Sequence, residues 1–363
     1  MKHSGPIYIT KPSLGSLEEY NLLIQQIWNS RQLTNAGPLA RELEQRLADT
    51  LNVKPPLLVS NGTIALHVAI RALELQSCEI ITTPFTWISS ASSIVWEQCT
   101  PVFVDVDPAT FNIDPQKIEA AITERTKAIL AVHVFSNPCD VEAIESIAAK
   151  HNLKVIYDAA HAFGVQFKGQ SIFEYGDIST TSFHATKIFN TAEGGAVFSS
   201  TKDLYEMVHS IRDFGFDRER EIVRFGTNAK MSELNAALGL VNLPSVNENI
   251  ALRKERTERY RSILGNHVQY QQYDELAYNY AYMPVVFSDE HSLLQVLQGL
   301  HAIQVYPRRY FHPSLSEMNK VFDKPHSPMA NALSKRILCL PLYPDLPMEH
   351  VEGIAHTILK HLL

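Results

Sequence analysis

The sequence predicts an α/β protein: a large domain with a mostly parallel central sheet over residues 1–245, and a smaller α+β domain over residues 246–363. Two features predict it. Short apolar runs of strand length alternate with helical patterns through the first two thirds of the chain, and that alternation breaks after about Gly239. The amino-terminal segment is expected to pack with the small domain.

The elements follow in order. "LARELEQRLADTL", Leu39 to Leu51, carries apolar residues at helical spacing, and "PPLLVSNGTIALHVAIRAL" reads as a short strand, a polar turn and a helix. "EIITTPFTWISSASSIVW" repeats that scheme. The runs "TPVFVDVD", "KAILAVHVF", "KVIYDAAHAFGV", "ISTTSFHATK" and "GGAVFSS" have strand length, and "CDVEAIESIAAKHN" is a covering helix. Past Gly239, "NENIALRKERTERYRSIL" carries charges of both signs and reads as a long exposed connector. "YAYMPVVFS" and "RILCLPLY" are strands beyond it, and "EHSLLQVLQGLH" and "MEHVEGIAHTILKHLL" are helices.

Composition narrows the function. The 363 residues suffice for about two domains, and 45% hydrophobic against 20% charged residues is the balance of a globular protein. A net charge of −7 gives no broad attraction to nucleic acid or anionic lipid, so a small-molecule partner is expected. Cys78, Cys99, Cys139 and Cys339 form no CxxC pair, which predicts neither a disulfide framework nor a zinc knuckle and suits a reducing cytosol. "MKHSGPIYITKPSLG" lacks the apolar core of a signal peptide, and no run approaches a membrane span. The expectation is a cytoplasmic protein. His133, His184 and His312 show no metal-ligand spacing, so no metal is assigned, and His133 reads as a core or site-wall residue.

Three turns follow strands and should meet at the carboxyl edge of the sheet, where open α/β folds bind ligands. In "SNGTIALHVAI", Gly62 and Thr63 open a helix whose free N–H groups suit a phosphate, although an ordinary N-cap uses the same residues. In "VIYDAAHAFG", Asp158 ends an apolar strand, where a carboxylate needs a cation or donor, or serves as a cap. In "SFHATKIFNTAEGGAVFS", Lys187 stands between a polar turn and Gly194 and Gly195, which read as letting a ligand approach the backbone. A desolvated lysine loses its proton easily and attacks carbonyls, whereas a lone lysine is ordinarily a surface residue. Taken together, a phosphate cradle, an acidic strand end and a buried lysine suit pyridoxal 5'-phosphate (PLP). Trp87 in "PFTWISSAS" could cover the ring face.

In the quoted order, "LTNAGPLARELEQRLA", "SNGTIALHVAI", "PFTWISS", "PVFVDVDP", "DAAHAFG", "SFHATKIFNTAEGGAV" and "GTNAKMSELNAALGL" resemble the blocks of the DegT/DnrJ/EryC1/StrS sugar aminotransferases, a branch of the fold type I PLP enzymes. The resemblance runs over nearly the whole chain. It implies that Lys187 is the Schiff-base lysine and that Asp158 partners the pyridine nitrogen. By the same resemblance His161 lies beside the ring, Trp87 stacks on it, and Gly62, Thr63 and Ser182 bind the phosphate. Asn228 is similar to a residue that reaches the phosphate in a neighbouring subunit, which implies a homodimer with shared sites. Relatives that carry histidine in place of the lysine are sugar dehydrases; this chain keeps Lys187. Ala192 stands where many relatives have glycine.

The implied reaction moves nitrogen from L-glutamate to a nucleotide-linked keto sugar, with the cofactor cycling through pyridoxamine 5'-phosphate. Arg308, Arg309 and Tyr310 in "VYPRRYFHPSL" resemble a substrate-facing loop suited to a diphosphate, and a solvated basic turn would look the same. His184 is a candidate substrate contact. Within the family the chain is most similar to VioA-type enzymes, which aminate dTDP-4-keto-6-deoxyglucose at C4, and the implied product would serve a surface polysaccharide such as O-antigen. A C3 aminotransferase for a dTDP-3-keto-6-deoxyhexose or a UDP-linked sugar is the alternative. A non-catalytic PLP-binding regulator is a second, opposed by the intact Lys187 and Asp158. A nicotinamide-dependent dehydrogenase lacks its G-x-G-x-x-G turn here.

Overall fold

A computed structural model of the protein describes residues 5–322 and 326–362; the first four residues of the stretch read above for a leader lie outside them. Its centre is a seven-stranded sheet in the order Leu57–Val59, Gly195–Ser199, Ile178–Ser182, Lys154–Asp158, Thr126–Val132, Glu79–Thr82, Thr100–Phe103. Gly195–Ser199 runs antiparallel to both its neighbours, and the other strands share one direction. Thr126–Val132 is buried along nearly its whole length because helices cover both faces of the sheet, and this explains its continuous apolar run.

Local chemistry sets the helix starts that matter for the site. The Asn61 side chain accepts from the Ile64 N–H at 2.9 Å and so begins the helix Gly62–Ala72 directly after the strand Leu57–Val59. Pro38 opens the helix Pro38–Leu51, whose first turn is capped from elsewhere in the chain. The buried Glu233 carboxylate accepts from Leu39 N and Ala40 N, both at 2.9 Å.

A second core gathers Ile7, Tyr260, Leu264, Val285, Leu300, Val305, Leu338 and Ile354. Ile7–Tyr8 pairs in parallel with Val305–Tyr306, and Met283–Val286 pairs antiparallel with Ile337–Leu340. The stretch read as an exposed connector is the helix Val246–Leu264, and it is not exposed along one face. Val246, Arg253, Thr257, Tyr260 and Leu264 are buried at helical spacing. Arg253, fully enclosed, donates to the carbonyls of Ala281 and Leu342. A charged residue on the inner face hid the stripe, because backbone carbonyls rather than a carboxylate satisfy it. No helix among the described residues is long and apolar enough to cross a membrane.

Candidate active site

The carboxyl ends of Leu57–Val59, Glu79–Thr82, Lys154–Asp158 and Ile178–Ser182 open into a cavity of about 650 Å³. Gly62, Thr63, Trp87, Asp158, His161, Ser182, His184, Lys187, Arg308 and Tyr310 line it, so most residues singled out in the sequence meet in one place. The parallel sheet explains the convergence: each of these turns leaves its strand at the same edge.

Lys187 sits in the loop between Ile178–Ser182 and Gly195–Ser199. Backbone bonds pin that loop: Phe183 N to Gly194 O at 2.8 Å, Ala185 N to Ala192 O at 2.8 Å and Lys187 N to His184 O at 2.9 Å. The glycines do something other than expected. A Cβ on Gly194 would lie 2.1 Å from Thr191 Oγ1, and one on Gly195 would lie 2.7 Å from Thr181 O. Gly195 lets the returning strand close against its neighbour, Gly194 lets the loop close on Thr191 and Met231, and neither lines the cavity.

Asp158 ends its strand in a buried position. Oδ2 accepts from Ser90 Oγ at 2.8 Å and Oδ1 from Ala160 N at 3.1 Å, while Thr86 Oγ1 lies 3.0 Å from Ser90 Oγ. Burial raises the Asp158 pKa, and these two donors and the charge of Lys187 oppose that rise. Part of the Lys187 surface faces the cavity. Desolvation pulls its pKa down to about 8, with Asp158 pulling the other way. His161 Nδ1 accepts from Phe135 N at 3.2 Å, which leaves the proton on Nε2, and desolvation followed by the Lys187 charge holds its pKa well below the usual value. The imidazole is therefore a neutral donor.

At the other end of the cavity, the first-turn N–H groups of Gly62 and Thr63 have no intrahelical acceptor. A Cβ on Gly62 would lie 2.7 Å from the Ser182 Cβ, so only glycine lets the helix start this close to the Ser182 hydroxyl. At the mouth, the Arg308 guanidinium lies 4.9 Å from the Tyr310 ring centre and 5.9 Å from that of the half-exposed Trp87. His184 Nε2 is 3.7 Å from Glu193 Oε1.

Two predicted residues lie elsewhere. Arg309 does not line the cavity: its Nη2 donates to Glu290 Oε1 at 2.6 Å and to the Lys335 carbonyl at 3.0 Å. Glu290 and the Lys335 carbonyl draw the Arg309 side chain away, while Arg308 faces the cavity. Asn228 is exposed, paired through its backbone to Asp213, and not part of the cavity lining within this chain. His133 is a core residue, stacked on Tyr157 with ring centres 4.8 Å apart. Sequence reasoning missed Ser90, Tyr282, Phe311 and Glu193 as parts of the site. Ser90 gave no signal of its own, since Trp87 is the extended residue before the helix Ile88–Trp96 and helical spacing does not tie the two to one face.

The residues present fit PLP: a helix start and a hydroxyl for a phosphate, a buried carboxylate with two donors for a ring nitrogen, and a lysine of lowered pKa, all lining one cavity. The sequence profile of the DegT/DnrJ/EryC1/StrS aminotransferase family matches residues 16–359. The chain belongs to this family. As a member of the DegT/DnrJ/EryC1/StrS aminotransferases it is a transaminase with PLP as its cofactor. It is 40% identical over 365 residues to a dTDP-4-amino-4,6-dideoxy-D-glucose transaminase of Shigella dysenteriae, covering 97% of this chain and 98% of that protein. It is 34% identical over 328 residues to a UDP-2-acetamido-2-deoxy-3-oxo-D-glucuronate aminotransferase of Pseudomonas aeruginosa, covering 89% and 90%. Among solved structures, DesI in the presence of its TDP-sugar product superposes with a TM-score of 0.92 at 31% identity, covering 99% of this chain and 94% of that one.

Proposed function

We propose that this aminotransferase moves the amino group of L-glutamate to C4 of dTDP-4-keto-6-deoxyglucose, making an amino sugar for a surface polysaccharide such as O-antigen. The similarity that carries this reading is the 40% identity, over nearly the whole of both chains, to the transaminase of dTDP-4-amino-4,6-dideoxy-D-glucose. The enzyme acts in the cytoplasm as a homodimer, and the exposed Asn228 serves the phosphate of its partner's site.

Each residue then has a task. Gly62 N–H, Thr63 N–H and the Ser182 hydroxyl hold the phosphate. Asp158 keeps the ring nitrogen protonated, and Ser90 and Ala160 brace its carboxylate. Trp87 and His161 border the ring. When bound, PLP supplies the sink for the electron pair left as a proton leaves the carbon that bears nitrogen. Lys187 Nζ, with its pKa near 8, takes that proton at the α-carbon of glutamate and delivers one to C4 of the sugar in the second half-reaction. Arg308, which makes no ion pair among the described residues, meets the sugar diphosphate, and Tyr310 and Trp87 hold its guanidinium flat. His184 donates to a sugar hydroxyl.

The relative acting on a 3-oxo sugar supports one second reading, amination at C3. Incubating the holoenzyme with L-glutamate and either dTDP-4-keto-6-deoxyglucose or its 3-keto isomer decides between them. NMR of the product should show nitrogen at C4. Turnover of the 3-keto isomer alone would overturn the proposal.

A further inference from the structure

Cys78 and Cys99 lie side by side at the edge of the sheet opposite the active site. Each is the residue before a parallel strand, Glu79–Thr82 and Thr100–Phe103, and Glu79 is in register with Thr100. Their Sγ atoms are 3.6 Å apart, and Cys78 O accepts from Thr100 N at 2.8 Å. Neighbouring strands run about 4.8 Å apart, inside the Cα separation that a disulfide bridges. Access is close at hand. Both cysteines are buried, yet Ser77, Gln98 and Thr100 beside them are exposed. Ser77 and Gln98 have left-handed backbones, with φ of 50° and 61°, so each cysteine follows a tight turn at the surface. Cys139 and Cys339, also buried, have no sulfur partner among the described residues and serve as internal controls.

We propose that Cys78 and Cys99 form an intrachain disulfide under peroxide, a modification site that ties the outermost strand of the sheet to its neighbour. One thiol, as its thiolate, attacks a peroxide oxygen; the O–O bond breaks, giving a sulfenic acid and hydroxide, which the released proton converts to water. The second thiol then displaces the sulfenic oxygen, which leaves as a second water. The two sulfurs lose two electrons and the peroxide gains them. Burial, and then the hydrogen bond shared with Cys99, push the Cys78 thiol up to about 12, so Cys78 is slow to form its thiolate. Among the described residues Thr100–Phe103 has one strand neighbour, Glu79–Thr82, and the cross-link fastens its amino end to it. The catalytic turns leave the opposite ends of the strands, so activity persists.

Holoenzyme held for hours in hydrogen peroxide, alkylated without reduction and digested with a glutamate-directed protease, tests this. Glu79 and Glu97 lie between the two cysteines, so the protease separates them unless sulfur joins them. The expected result is one linked pair of peptides carrying Cys78 and Cys99 that reductant splits, with Cys139 and Cys339 alkylated. The melting temperature should rise by about 3–6 °C. Cys78→Ser and Cys99→Ser should each lose the linked pair and the rise while keeping full aminotransferase activity. Separate alkylated or over-oxidised peptides, a link to another cysteine, or an unchanged or lower melting temperature in the linked protein would overturn the proposal.

Discussion

Ser90 donates its hydroxyl to Asp158 at 2.8 Å, from a helix that starts one residue after Trp87. The residue that leads into this short helix therefore borders the cavity, and the helix itself braces the buried carboxylate in it. Thr86, 3.0 Å from Ser90 Oγ, completes a line of hydroxyls leading to Asp158.

That bond should be visible in kinetics. A hydrogen bond to a charged group contributes about 1.5–3 kcal/mol, so Ser90→Ala should lower kcat by about 10- to 100-fold as the Asp158 pKa rises further. Ser90→Thr keeps the hydroxyl and should retain most of the rate. Steady-state assays of both variants check this.

Lys187 carries a pH signature. Its folded pKa of about 8 lies below the ordinary 10.5, so between those values the unfolded chain binds more protons and stability rises with pH. Below pH 8 the penalty for burying the charge is present in full; above 10.5 it is gone. Apoprotein carrying Lys187→Met should therefore be more stable than wild type at pH 7 by about 1–3 kcal/mol, with the gap closing toward pH 10.5. Urea unfolding of both apoproteins across that range measures it, and the same variant should have no transaminase activity.

Gly62→Ala places a methyl group 2.7 Å from the Ser182 Cβ. The helix start must shift away from the hydroxyl that shares its cradle, and about 1.4 kcal/mol of lost binding is a tenfold weaker cofactor affinity. Titration of the apoenzyme with PLP, followed by absorbance, should show at least that loss with the far-ultraviolet dichroism unchanged.

Ala192 has φ of +64° in the loop that carries Lys187. This left-handed backbone costs a non-glycine residue about 1–2 kcal/mol, partly offset by the greater freedom of glycine when unfolded. Ala192→Gly should raise stability by about 0.5–1 kcal/mol, read from the thermal midpoint, with activity kept.

Legibility in the sequence follows the backbone. Turns after parallel strands share an edge, so the order of strands and turns along the chain is enough to bring Asp158, Lys187 and Gly62 together. Contacts that depend on how one element faces another are not legible in this way. Ser90 reaches Asp158 across 68 positions, and nothing in "WISSAS" says which of its serines turns inward. Arg308 and Arg309 are alike as letters, and only Glu290, on a separate helix, decides that Arg309 is committed. The helix Val246–Leu264 reads as wholly exposed because an inward arginine counts as polar. Gly194 and Gly195 do mark close approaches, but the approaching partners are the loop and the sheet of the protein itself.

Borohydride reduction of the PLP-loaded enzyme fixes the bond between cofactor and lysine, and mass spectrometry of the labelled peptide then tests the role of Lys187 most directly. A pyridoxyl group should be found on Lys187 alone, and it should be lost when glutamate is added before the reductant. Label on another lysine, or none on a protein that still turns over glutamate, would contradict that role.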